Sequence, residues 1–97
     1  MTYYALYDSQ FDGFKAGYAS KDLTNLIKES SERIIELSQS DEEPLSFNSD
    51  PIDVIESYSY EIRIINEDDY NKINESNELF LSSVVNGVND GRKLELK

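Results

Sequence analysis

Cysteine, histidine and tryptophan are all missing from this chain of 97 residues. Without cysteine there is no disulfide and no thiol nucleophile. With histidine gone too, ordinary zinc sites and the commonest general base near neutral pH are excluded. A small secreted domain with a thin core is usually stapled by disulfides, so their absence favours a reducing cytoplasm. The opening residues Met1 to Asp8 have no basic start and no long apolar run, and no signal peptide is expected. Nowhere does the chain approach the roughly 18 apolar residues that a membrane-spanning helix needs.

Positive charge is scarce. Nine lysines and arginines face 20 acids, for a formal net charge of −11. DNA, RNA and anionic membranes repel such a chain, whereas a basic protein surface attracts it. The imbalance is local. Between Glu36 and Glu78 there are thirteen acids against only Arg63 and Lys72, and the remaining residues balance to zero. Solubility alone needs net charge anywhere, and many charge runs are merely solvated faces. Concentrating the charge costs folding energy through self-repulsion, so a protein that tolerates it is expected to use the field.

A length of 97 residues fits one domain, residues 1–97, with a modest core. Alternation over residues 2–8 puts Tyr3, Ala5 and Tyr7 on one face of a strand and Tyr4, Leu6 and Asp8 on the other. Asp12-Gly13 is a turn signal, and Phe14 to Ala19 can return as the second strand of a hairpin. Ser20 is the expected N-cap of a helix over Lys21 to Ser38, with Leu23, Leu26, Ile27, Ile34 and Leu37 as its buried stripe and Ile35 at the edge. Lys28 with Glu32 and Glu29 with Arg33 are spaced as ion pairs on its solvated side.

Residues 38–49 read as a polar loop anchored by Leu45 and Phe47. Asp50-Pro51 then caps a short helix carrying Ile52, Val54 and Ile55. Tyr58, Tyr60, Ile62 and Ile64 share one face of a strand, opposite Ser59, Glu61 and Arg63. After Asn66 to Asp69 a second long helical stretch is expected through Tyr70, Ile73, Asn77, Phe80 and Val84, with Leu79, Leu81 and Val85 alongside, as one helix or as two split near residues 74–77. Asn86-Gly87 reads as a helix end, Asp90-Gly91 as a turn, and Leu94 and Leu96 as a terminal strand. The fold class expected is α+β: a small antiparallel sheet of three or four strands covered by two main helices.

Chemical motifs are few. No glycine-rich phosphate loop and no nucleophile elbow occurs, and paired carboxylates are expected by chance among 20 acids, so no catalytic activity is expected. Asp41-Glu42-Glu43 and Glu67-Asp68-Asp69 are oxygen-rich but lack the glycine and spacing of an EF-hand, and no metal or cofactor is expected. Tyr3, Tyr4, Tyr7, Tyr18, Tyr58 and Tyr60 could stack bases, yet stacking platforms sit in basic grooves; core packing and partner contacts suit them better. The expected partner-binding residues are therefore the acids Glu36, Asp41, Glu42, Glu43, Asp50, Asp53, Glu56, Glu61, Glu67, Asp68 and Asp69.

A short chain with this uncompensated run resembles the small acidic inhibitors encoded by bacterial viruses, among them anti-CRISPR proteins that mimic DNA. The resemblance implies a host-cytoplasmic inhibitor that occupies the nucleic-acid cleft of a basic partner such as a Cas nuclease. It implies competition, in which carboxylates engage the arginines and lysines that otherwise grip phosphates. The alternative is a non-inhibitory acidic adaptor or immunity-type protein on a basic partner. A third reading is an inhibitor that acts through its apolar surface.

Overall fold

The computed structural model describes residues 1–75, 80–82 and 91–96, with backbone only at 80–82. Strands β1 (Tyr3–Asp8) and β2 (Gly13–Ser20) form the hairpin that the alternation predicts. Its turn is set locally: the Asp8 carboxylate accepts from the backbone N–H of Gln10 at 2.9 Å, and Asp12 adopts φ 52°. Aspartate tolerates this left-handed geometry better than most residues. The pairing slips between Ala5 and Tyr7, since Ala5 faces Ala19 while Tyr7 faces Phe14. The surplus residues of β2 form a bulge containing Gly17 at φ 80°, and the alternation resumes beyond it with Tyr18 on the Tyr4–Leu6 face.

The α1 helix (Leu23–Ser38) starts two residues later than expected. Asp22 is its N-cap, accepting from Asn25 N–H at 3.1 Å, while Ser20 Oγ accepts from Asp22 N–H. The buried stripe also differs. Leu26, Ser30, Ile34 and Ser38, four residues apart, are buried with Ser31 and Ile35, whereas Leu37 is exposed. Small serines let the helix approach the sheet closely, and hydropathy alone does not score them as core. The ion pair formed on this helix among the described residues is Arg33 with Glu36 at 3.3 Å.

Helix α2 (Pro51–Ser57) is capped by Asp50 as expected, and it buries Val54 and Ile55. Strand β3 (Tyr60–Ile65) pairs antiparallel with β1 in an unbroken register from Tyr3–Ile65 to Asp8–Tyr60. The α3 helix (Glu67–Glu75) begins where Asn66 Oδ1 accepts from Asp69 N–H at 2.8 Å. It ends before Phe80. Residues Phe80–Ser82 form β4 along β2, which corrects the expected helix through Phe80 and Leu81. A short apolar run is compatible with either period, and here the free edge of β2 decides. Asn77, Leu79, Val84, Val85, Asn86-Gly87 and Asp90 lie outside the described residues.

The last strand, β5, is Arg92–Lys93 rather than the Leu94–Leu96 alternation. It pairs with Ile64 and Arg63, and one further bond runs from Leu94 N–H to Ile62 O at 2.8 Å. Gly91 brings the chain onto β3, where a Cβ would strike the Ile64 carbonyl.

The result is an α+β fold, an antiparallel sheet in the order β4-β2-β1-β3-β5 with helices on both faces. Three long strands carry it, and the two edges are short. On one face α1 and α2 cover Leu6 and Ile62. On the other, Ile73 and Tyr70 of α3 cover Ala5, Tyr7, Phe14 and Ile65. Burying the two apolar sides of β1 on separate helical layers makes this strand the centre of the molecule.

Candidate protein-binding surface

The α1–α2 layer gathers most of the acids. Glu36 lies exposed near the end of α1, and Asp41, Glu42 and Glu43 are exposed in the following loop. Asp50 opens α2, and Asp53 and Glu56 are exposed along it. Between Arg33 and Arg63 the chain has no basic residue, so these seven carboxylates share one layer with no cation from the intervening segment.

Local bonds hold that layer in place. Ser38 Oγ donates to Ile35 O at 2.7 Å and accepts from Leu45 N–H at 3.0 Å, pinning the loop to the helix end. Gln39 Nε2 donates to the carbonyls of Ile35 and Leu45. The Tyr58 hydroxyl donates to Asp41 Oδ2 at 3.1 Å, fixing one carboxylate of the Asp41-Glu42-Glu43 run. Desolvation, and then Asp41 as acceptor, push the Tyr58 hydroxyl pKa up, which keeps it a donor. Leu37 and Phe47 stand exposed in the same stretch, Phe47 at 63%.

Four expected residues do not join this layer. Glu61 sits half-buried on the opposite sheet face, bonded to Arg63 Nε at 3.2 Å, while Arg63 stacks 3.6 Å from the centroid of Tyr7. Asp69 is 2% exposed and so has no surface to offer a partner, which corrects its assignment. Glu67 and Asp68 are exposed in the first turn of α3, on the far side of the sheet. Acidic side chains favour that end of a helix in any case, so a local role accounts for these two. The expected row of eleven carboxylates is thus seven on one layer.

Under α1 lies a polar cluster that charge counting does not single out. Asp8 and Lys15 are both buried on the face of Tyr4 and Leu6. Burial, then Arg33, lower the Lys15 pKa, and Asp8 acts in the other direction. Burial raises the hydroxyls of Tyr18 and Tyr60. The alternation placing Asp8 beside Leu6 was the available signal. Among the described residues no group of three or more acids is arranged to hold a metal ion, and no helix is long and apolar enough to cross a membrane.

The chain matches no known family model, no curated protein and no solved structure. Its surface alone carries the functional argument. What it offers chemically is seven exposed carboxylates on the α1–α2 layer, one of them paired with Arg33, and the exposed side chains of Leu37 and Phe47 in the same stretch of chain.

Proposed function

We propose that this chain is an inhibitor protein that occupies the basic nucleic-acid-binding cleft of a partner, of the Cas-nuclease kind, through the acidic α1–α2 layer. One observation carries this reading: seven exposed carboxylates between residues 36 and 56, on one layer, with no base in the interval. Seven charges correspond to about 12 Å of duplex at about one charge per 1.7 Å, a short stretch of backbone. The molecule measures 37 × 25 × 19 Å, so such a row fits on one side of it. Carboxylates engage the partner's arginines, in bidentate fashion where geometry allows, and the field of the whole chain speeds encounter.

A second reading draws support from Leu37 and Phe47, since exposed apolar groups amid the acids suit a protein contact that owes nothing to phosphate mimicry. That reading is an acidic adaptor or immunity-type protein on a basic partner. Capture of partners from a host lysate, with duplex DNA or guide RNA added as competitor, separates the two. Under mimicry a captured nuclease is displaced by nucleic acid, and Asp41→Asn with Glu42→Gln and Glu43→Gln weakens binding and flattens its salt dependence. Retention of the partner at saturating nucleic acid refutes mimicry.

A further inference from the structure

A cavity of about 410 Å³ opens where the C-terminal segment leaves β3. The β3–β5 ladder runs through Ile64–Arg92 and Arg63–Lys93 and ends with the Leu94 N–H bond to Ile62 O. Continuing that register would set Leu96 opposite Tyr60. Residues 94–96 are instead not in strand geometry, and the described pairing goes no further. The first residues of β3, Tyr60 and Glu61, therefore border the cavity on the side away from β1.

The lining has two characters. Ile62 is buried at its floor, with Tyr60, Leu94 and Leu96 half-buried around it. Its rim carries Glu56, Glu61 and Glu95 against Lys93. Glu61 is committed to Arg63, so the exposed Glu56 and Glu95 set the sign of the field at the mouth. An incompletely paired strand edge beside a slot of mixed polar and apolar lining is a geometry that accepts an added strand, with backbone bonds giving affinity and the slot reading a side chain. The volume lies in the range of ligand-sized clefts, about 300–1,000 Å³.

We infer that this groove docks an extended, basic segment of a partner protein, which adds alongside β3 at Tyr60 and Glu61, places an apolar side chain among the half-buried Tyr60, Leu94 and Leu96, and sets cationic side chains against Glu56 and Glu95. Charge complementarity selects that occupant, because a net charge of −11 and an acidic mouth disfavour an acidic peptide or a second copy of the chain. The inference shares Glu56 with the α1–α2 layer and otherwise does not depend on nucleic-acid mimicry.

The test titrates the isotope-labelled full chain with a nine-residue peptide of alternating lysine and valine and, separately, with its glutamate–valine counterpart. Saturable NMR shift changes at Tyr60, Glu61 and residues 94–96 are expected with the basic peptide alone, together with slowed hydrogen exchange at the Tyr60 amide. Glu56→Lys with Glu95→Lys is expected to weaken this binding about tenfold without changing the melting temperature. The triple variant at Asp41, Glu42 and Glu43 should leave it within about threefold, so failure of mimicry and failure of the groove are read separately. Shifts confined to residues 36–53, no saturable shift at the groove, or groove shifts that track protein concentration without peptide would each overturn the proposal.

Discussion

Replacing Ser30 by alanine should make this protein more stable. Ser30 lies in the middle of the buried stripe of α1 with no exposed surface, and its Oγ has no hydrogen-bond partner among the described residues. A buried hydroxyl without a partner costs about 1–3 kcal/mol. Alanine adds about 0.5 kcal/mol of helix propensity over serine. Against these gains stands the void left by one oxygen, smaller than a methyl group and worth less than about 1 kcal/mol. The net expectation for Ser30→Ala is about 1–2 kcal/mol of added stability, or roughly 4–12 °C in melting temperature for a domain of this size. Urea unfolding followed by far-UV circular dichroism measures it directly. Ser38 supplies the contrast within the same stripe. Its Oγ donates to Ile35 O and accepts from Leu45 N–H, so Ser38→Ala should cost about 1–2 kcal/mol. Loss of stability in Ser30→Ala, or equal responses from the two serines, would refute the reasoning.

Three further outcomes follow from the packing. Ile73 is the buried apolar anchor of α3, and Ile73→Ala should cost about 2–5 kcal/mol in urea unfolding, enough to threaten a marginal domain. Gly91→Ala forces a Cβ into the Ile64 carbonyl, so the Arg92–Lys93 pairing should open, seen as faster hydrogen exchange at Ile64 and Leu94 while the Tyr4–Ser20 pairing stays protected. At high pH, burial raises the Tyr18 and Tyr60 hydroxyls above the ordinary 10.0, with Arg33 opposing. The unfolded chain then loses these protons first, so stability is intact below pH 10 and falls as pH climbs past it. Tyrosinate absorbance recorded beside circular dichroism should show the late-ionising tyrosines titrating together with unfolding; ionisation at the ordinary value with the fold intact would contradict this.

Local signals carried far along this chain. The alternation of Tyr3, Ala5 and Tyr7 marked β1, and Asp50-Pro51 marked the start of α2 to the residue. Both depend on neighbours within a few positions. The stripe of α1 was harder, because Ser30, Ser31 and Ser38 are buried for their size while Leu37 is left outside. Phe80 to Ser82 became a strand because β2 offers an edge, which no local window contains. The same divide runs through the candidate site. Charge asymmetry is a property of composition and was legible, and alternation on β3 already set Glu61 opposite Ile62. Burial of Asp69 depends on how α3 meets the sheet, and that packing is not written in the run Glu67-Asp68-Asp69.

Several acids of the α1–α2 layer also serve the fold that presents them, Asp53 among them in the first turn of α2. Asp50 caps a helix, Glu36 meets Arg33 in an exposed pair worth about 0–1 kcal/mol, and Asp41 receives the Tyr58 hydroxyl. Glu42 and Glu43 lie exposed in a loop, where they add to the mutual repulsion of the layer. The core beneath them, built from Leu6, Leu26, Ile34, Val54, Ile55 and Ile62, makes no use of their charge. Five side-chain bonds around Ser38, Gln39 and Tyr58 nonetheless hold this surface in place, which fits the proposed role in binding a partner. The interior explains why the loop stays in place; its acidity is what the proposed cationic partner would use.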